Sequence, residues 1–314
     1  MRFLLRSLTC CLIAAPAFAL GWGIEGHKAI GQLARTKLSP AARAQVIKIL
    51  GNDDLAEVAV WADEVRDAGR HRGPLVSDPE ARAFIQKFPK NPSWHFVDQP
   101  LGLAGYTTDG KFSSEDDVVH AINASIAVLE GRSNRFTPAQ ALRLLIHFVG
   151  DVHQPLHAST GYYDLHNLAS PKLVTNPAAV DLATGDHGGN SLYVTKSEEL
   201  HALWDVKLVE KIAGKDFEKL AGALGNKNPA KWHTPGDYHT WAAQWASESV
   251  AIAAGHVYRD VIFEAAELDE KHQLKRMEIK LGSSYEKNNE TVVAAQLATA
   301  GLRLAELLNQ LHWK

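Results

Sequence analysis

The stretch Leu145-Ile-His147-Phe-Val-Gly-Asp151-Val-His153-Gln-Pro-Leu-His157 constrains this 314-residue chain more than any other. His147 and Asp151 are four apart, so on a helix they share one face, one turn above the other. His157 comes ten residues after His147, beyond Pro155, which bends or ends the helix. Three histidines and an aspartate among Leu, Ile, Phe and Val are costly to bury unless something pairs them. Either they satisfy one another in a core helix, or they hold a metal. Neutral imidazoles with carboxylates are the donors zinc prefers.

A second His-x-x-x-Asp pair, His201 and Asp205, lies in the apolar run Leu200-His-Ala-Leu-Trp-Asp205. Single candidates are scattered elsewhere. His27 opens an amphipathic segment, and Asp63 sits among Val58, Val60, Trp61 and Val65. Taken alone, Asp63 reads as a surface carboxylate at a helix edge. His95, in Trp94-His-Phe-Val-Asp98 between Pro92 and Pro100, reads alone as structural. Together these donors exceed what one structural zinc takes, and none is a thiolate. Oxygen and nitrogen donors in this number point to a polynuclear hydrolytic centre.

Arg2 and Arg6, an apolar run from Leu8 to Phe18 and then small residues read as a secretory signal. Its apolar run is too short for a membrane anchor. Cleavage after Ala19 or after Gly21 satisfies the small-residue rule; the second leaves Trp22 at the new N-terminus. Cys10 and Cys11, the only cysteines, leave with the signal, so the exported chain has no disulfide. Losing Arg2 and Arg6 takes the formal charge from −3 to −5, which argues against a broad basic nucleic-acid groove. Any polyanion must be drawn by a local positive centre.

Periodicity predicts an almost all-α chain in one large domain over 22–314. Helices are expected through Leu38, from Pro40 to about Leu50, in the apolar segment 55–65, and from Asp78 to Phe88. Further ones run from a cap at Ser113 or Ser114 to about Glu130, and from Thr137-Pro138 through Asp151. Tyr238 to Phe263, Leu268 to Leu281 and Val292 to Leu311 complete the expected set, with no substantial sheet. Thr160 to Ala183 reads as a long loop, a length that is uncommon without a function.

The order of these motifs resembles the zinc-dependent single-strand nucleases and 3′-nucleotidases of fungi, plants and bacteria (nuclease S-one and nuclease P-one type). Carrying the resemblance are Trp22-Gly with His27 five residues on, Trp61-Ala-Asp63, Trp94-His95-Phe96 and the 147–157 motif. Gly188-Gly-Asn190, Leu200-His201-Ala-Leu-Trp-Asp205, Gln296-Leu and Ala300-Gly-Leu-Arg-Leu-Ala extend it almost to the C-terminus. It implies the helical fold shared with zinc phospholipase C and three zinc ions. One would be held by Asp63, His95, His147 and Asp151, and a second by His157, His201 and Asp205. The third would take His27, Asp151 and the α-amino and carbonyl groups of Trp22, which requires cleavage after Gly21.

In the same resemblance Asp63 and Asp151 are the catalytic carboxylates, with Asp151 bridging two ions and positioning the attacking hydroxide. Three zinc ions against three aspartates leave a net positive pocket on an acidic protein. Phe96 would stack a base and Asp98 accept from its edge, with Asn190 lining the same site. His187 stands where many relatives carry Lys or Arg, as a phosphate contact. Tyr162 and Tyr163, in the unusual 160–183 loop, are candidates to extend the base platform. His153 is not a ligand in this pattern.

The implied substrates are single-stranded DNA, RNA and 3′-nucleotides, cleaved to leave 5′-phosphates. The implied protein is secreted or periplasmic, without a stable protein partner or membrane anchor, and monomeric. A zinc phospholipase C is the nearest rival reading. Asp205, where the lipases place a glutamate, and the spacing from Trp22 to His27 favour the nucleases. A non-catalytic zinc-binding protein would need a flexible His-rich tract, whereas these ligands are spread over well-patterned helices.

Overall fold

Helix starts follow from the side chains that precede them. In the computed structural model, which describes residues 21–108, 110–227, 229 and 232–314, α1 covers Gly23–Thr36. Of the leader read at 1–21, residues 1–20 lie outside the described residues. Ser39 caps α2 (Pro40–Leu50) by accepting the Ala42 N–H, and Asp78 caps α5 (Pro79–Lys87) through the Ala81 N–H. Caps of this kind contribute about 1 kcal/mol each. The apolar segment 55–65 divides into α3 (Leu55–Val58) and α4 (Trp61–Gly69).

A 3-10 turn, Asn91–His95, leads into the short strand β1 (Gln99–Pro100). Asp117, not Ser113 or Ser114, caps α6 (Val118–Leu129). Its Oδ1 accepts the His120 N–H at 2.9 Å while Oδ2 takes the Ser114 N–H, so the serine belongs to the turn before the cap. Thr137 and Gln140 form a capping box on α7 (Pro138–Val152), which carries His147 and Asp151 on a fully buried face. As Pro155 requires, α7 stops and α8 (Pro155–Ala158) begins with a new direction.

Strand β2 (Ser159–Thr160) then pairs in parallel with β1, Gln99 opposite Ser159. This pairing pins the His95 segment beside the His157 segment, and the Val97 N–H donates to the His157 carbonyl at 2.8 Å. The region expected as a loop is ordered. Antiparallel strands β3 (Tyr162–Asp164) and β4 (Lys172–Val174) are followed by 3-10 turns at Pro177–Ala179 and Leu182–Thr184. Beyond β5 (Leu192–Tyr193), helix α9 (Leu200–Ala202) widens into a π turn at Leu203–Lys207 before α10 (Leu208–Ala213) and α11 (Phe217–Gly225). Single π turns concentrate at functional sites.

The largest correction concerns 238–281, expected as two helices. Only α12 (Trp241–Ile252) and a π turn at Ala253–Val257 are helical beyond the 3-10 turn Tyr238–Thr240. The rest is a hairpin of β6 (Val261–Leu268) and β7 (Leu274–Leu281), with β7 also pairing in parallel with β5. Met277 and Ile279 are buried while Glu278 and Lys280 are exposed, the period of two of a half-buried strand. Register shifts along the hairpin break that alternation, and its many Glu and Lys imitate an exposed helix.

Helix α13 (Tyr285–Gln310) is long and apolar enough to cross a membrane, yet 72% of that window is buried inside the protein. It is the core helix, packed against α1, α7, α10 and α11. The fold is helical with a few short strands, as the zinc phospholipase C type requires.

Candidate metal centre

Seven separate segments deliver the donors. They are the start of α1 (His27), α4 (Asp63), the 3-10 turn (His95), α7 (His147, Asp151), α8 (His157), α9 (His201) and the π turn (Asp205). All eight side chains are buried, Asp63 included at 4% exposure, so the surface-carboxylate reading of Asp63 fails. Their donor atoms converge in three groups: His27, His147 and Asp151; Asp63, His95 and His147; and His157, His201 and Asp205.

In the second group, His95 Nδ1 stands 3.6 Å from Asp63 Oδ1 and 3.1 Å from His147 Nε2, with Asp151 Oδ2 3.0 Å away. The third group shows His157 Nε2 and His201 Nε2 3.1 Å apart and Asp205 Oδ2 3.0 Å from His201. Asp151 spans the groups: its other oxygen, Oδ1, is 3.3 Å from His27 Nε2 and 3.5 Å from His157 Nδ1. Donors on a tetrahedral zinc at about 2.0–2.1 Å lie about 3.3 Å from one another. The observed separations match that edge length.

The satisfied and unsatisfied atoms divide in the same way. His147 donates Nδ1–H to the Ala59 carbonyl (2.6 Å), His157 to the His95 carbonyl (2.8 Å) and His201 to the Gly188 carbonyl (2.6 Å). Each bond fixes the tautomer and aims an Nε2 lone pair inward. Both ring nitrogens of His27, Asp63 Oδ1, Asp151 Oδ1 and Asp205 Oδ2 are buried without a hydrogen-bond partner. Orphaned buried polar atoms facing one another are what a cation would satisfy. Asp63 Oδ1 does have the Arg66 guanidinium at 2.8 Å as an ion pair.

Electrostatics keep three of these groups in ligand form, whereas at His147 and His157 burial is outweighed by the Asp151 carboxylate, which raises the imidazole pKa, to about 9 at His157. Burial, with Arg66 nearby, holds His95 neutral by pushing its pKa down to about 4. Burial would also neutralise Asp205, but His201 and His157 outweigh it and bring its pKa to about 2. Asp151 likewise stays ionised, far below the usual carboxylate range, because of His147 and His157.

A cleft of about 380 Å³ opens on the donors, lined by His95, His157 and His201 together with Arg66, Phe96 and Asn190. A second lobe of about 260 Å³ joins it at Phe96, Asp98 and His187. Phe96 is 39% exposed on this wall and is not a core aromatic. Asp98 accepts the Thr160 hydroxyl at 2.6 Å through one oxygen. Tyr162 lines the second lobe, its hydroxyl donating to the Asp98 carbonyl. Tyr163 does not line either lobe. It is fully buried, because its hydroxyl donates to the buried carboxylate of Asp186 at 2.9 Å.

A model of the S1/P1 nuclease family matches residues 22–312. The chain belongs to the S1/P1 nuclease family. It is 25% identical to endonuclease 2 of Arabidopsis thaliana over 99% of this chain and 97% of that one. Nuclease P1 of Penicillium citrinum is 26% identical, over 93% and 98% of the two chains. Nuclease S1 of Aspergillus oryzae is 25% identical over 67% of this chain and 62% of its own length. As a member of the S1/P1 nuclease family, the protein is a zinc-dependent phosphodiesterase acting on single-stranded nucleic acid.

Several residues that serve the S1/P1 site escaped the sequence reading. Gln154 donates to Asp205 Oδ1 at 2.7 Å and accepts the Leu156 N–H, so it orients a ligand from the next segment. His153, already set aside as a non-ligand, is no part of that site: it donates Nδ1–H to the Val149 carbonyl and accepts from Arg303 at 3.1 Å, a core pairing away from the donor cluster. Arg66 was not singled out, although its i, i+3 spacing from Asp63 could have marked it.

Asp186 is the most consequential omission. Its carboxylate accepts the Gly161 and Gly189 N–H groups and the Tyr163 and Tyr258 hydroxyls. That holds a turn in which His187, Gly188 and Gly189 all have positive φ. A Cβ on Gly188 would collide with the Leu156 carbonyl, so only glycine serves there. The turn in turn presents the Gly188 carbonyl to His201.

Asp186→Asn presents an amide to two of the four donors, and an expected loss of about 2–4 kcal/mol follows. Burial also raises the Asp186 pKa to about 6 in the folded protein. A raised folded-state pKa gives stability at low pH that is lost as pH climbs from about 4 to about 6. Thermal melts across that range check both effects. The variant should be less stable throughout, by a margin that narrows as pH rises; equal melting temperatures would refute the assignment.

Proposed function

We propose that residues 22–314 form a trinuclear zinc endonuclease and 3′-nucleotidase that cleaves single-stranded DNA and RNA to leave 5′-phosphates. The observation that carries the reading is the convergence of three buried donor groups beside one cleft, which His95, His157 and His201 line together with Phe96 and Asp98. Asp63, His95, His147 and Asp151 would hold one zinc, and His157, His201 and Asp205 a second. His27 and Asp151, with the amino and carbonyl groups of a processed Trp22, would hold the third. Bound zinc supplies Lewis-acid polarisation of the phosphoryl group and makes water nucleophilic near neutrality.

The chain's own residues do the rest. Asp151 faces four imidazoles within 3.5 Å and fixes the spacing of the groups it bridges. Arg66, at the cleft wall and paired with Asp63, adds a fixed positive charge where a phosphodiester would enter. Phe96 offers a ring face, and Asp98 keeps an oxygen beyond its Thr160 bond for a base edge. Asn190 donates to the His187 carbonyl and stands 3.1 Å from His201 Nδ1, so it lines the same wall. His187 lies exposed where the two lobes meet, placed to contact phosphate or base. Tyr162 extends the lobe next to Asp98. A duplex cannot present an unstacked base to Phe96, so single strands are favoured.

Export after removal of residues 1–21, to the periplasm or the medium, and a monomeric state complete the proposal. The test is zinc content of the processed protein by elemental analysis, with turnover of single-stranded DNA before and after chelation. About three zinc per chain, with activity lost on chelation and restored by zinc, is the expected result. Three zinc without nucleic-acid turnover would redirect the reading to phospholipid headgroups. One zinc or none would overturn the ligand assignment.

Phe96→Ala tests the base contact separately. Losing a stacking face costs about 1–3 kcal/mol, so kcat/KM on oligonucleotides should fall roughly 10- to 100-fold with zinc content unchanged. A change below twofold would remove Phe96 from the substrate site.

A further inference from the structure

We infer that Tyr193, backed by Arg276, is a second base-stacking subsite that holds a neighbouring nucleotide of the strand whose first base sits at Phe96. The inference rests on the nuclease reading above and names how a polymer, as opposed to a mononucleotide, is gripped.

Tyr193 ends β5 and lines the cleft on the side of Asn190, Glu199 and His201. Phe96 and Asp98 line the same cleft together with Arg66, Arg70 and Pro92. The Tyr193 ring is fixed from two directions. Its hydroxyl donates to the buried Glu199 carboxylate at 3.1 Å. The Arg276 guanidinium lies 3.5 Å from the ring centroid, and its Nη2 is held near the Thr195 and Lys196 carbonyls. Arg276 is not among the cleft-lining residues, so it backs the ring and leaves the cleft side open.

A ring immobilised in advance loses little side-chain entropy when a base stacks on it. Arg276 adds a positive charge beside a site for a polyanion, and it does so from β7. The parallel β5–β7 pairing, Tyr193 opposite Glu278, is what brings that arginine over the ring. The metal donors His157 and His201 share the cleft with both aromatic rings. One strand can therefore place a phosphate at the donors and a base on each ring. A 3′-mononucleotide has only one base to offer.

The experiment compares KM and kcat of the zinc-loaded enzyme on hexathymidylate and on 3′-thymidylate. For Tyr193→Ala, KM on the hexamer should rise roughly 5- to 50-fold, the scale of one lost base stack. Its rise on the mononucleotide should be at least fivefold smaller, and kcat should not account for the loss. Tyr193→Trp should restore the hexamer KM, and Arg276→Gln should give an intermediate rise in a chain with an intact ring. Equal losses on both substrates, a failure of tryptophan to rescue, or an unchanged hexamer KM in both Tyr193→Ala and Arg276→Gln would overturn the subsite. A wild-type enzyme that turns over neither substrate would overturn the nuclease reading itself, and the subsite with it.

Discussion

Asp151→Asn should lower cleavage of single-stranded DNA about 100- to 1,000-fold, the scale seen when a preorganised electrostatic group is removed from a site. Among the described residues, no other side chain stands within 3.5 Å of so many donors. His27, His95, His147 and His157 all stand within 3.5 Å of its two oxygens, and it is fully buried. Asparagine preserves shape but removes the negative charge around which those imidazoles are arranged. It also points an N–H₂ at ring nitrogens that must remain acceptors for a metal. Zinc content should fall with activity, because the carboxylate is shared between two donor groups. Elemental analysis beside the rate assay checks this. An Asp151→Asn protein with full zinc and near-normal turnover would mean that the bridge has been misassigned.

Retention of the leader should abolish one zinc site. Gly21 has positive φ and packs so tightly against the centre that a Cβ there would collide with Asp151 Oδ1 and His27 Nε2. Residue 21 therefore borders the space between these two donors. Trp22 is anchored beside them, fully buried, its indole N–H donating to the Gly150 carbonyl at 2.9 Å. While residue 21 remains, the Trp22 nitrogen is a peptide amide and a poor ligand. Cleavage after Gly21 turns it into an amine at the same place. A chain beginning at Trp22 should bind one more zinc than a chain retaining Gly21, and should be at least about tenfold more active, the lower scale expected for a perturbed metal site. Native mass spectrometry of the two forms measures the difference directly. Identical stoichiometry would exclude the amino group as a ligand.

How much of this was legible beforehand depends on how local each interaction is. His147 with Asp151 and His201 with Asp205 are i, i+4 pairs, and helical geometry alone puts each on one face. Pro155 announces the break that gives His157 its own direction, and Ser39, Asp78 and Thr137 announce the helix starts they cap. Asp63 and His95 read as ordinary in isolation, since nothing nearby in the chain reveals that they are buried. Only the order of motifs, taken together, placed them with the others.

The hairpin at 261–281 shows the opposite limit. Its residues are rich in Glu and Lys, and its alternation is broken by register shifts, so the local pattern favours a helix. Pairing with β5, some 80 residues earlier in the chain, decides the matter by supplying hydrogen bonds and burying Met277 and Ile279. The 160–183 segment behaves similarly. Tyr163 turns inward because Asp186, a carboxylate buried with four donors around it, needs its hydroxyl.

By itself, then, the sequence determined the helical class and the His-Asp pairs bound together by helical periodicity, because these depend on contacts within a turn or two, and the order of its motifs marked Asp63 and His95 as further candidate donors. The tertiary structure alone decided which distant donors share a group, that Asp151 sits between groups, and which aromatic rings face the cleft. Those outcomes depend on packing between segments more than 120 residues apart, such as His27 against Asp151, and no local spacing encodes them.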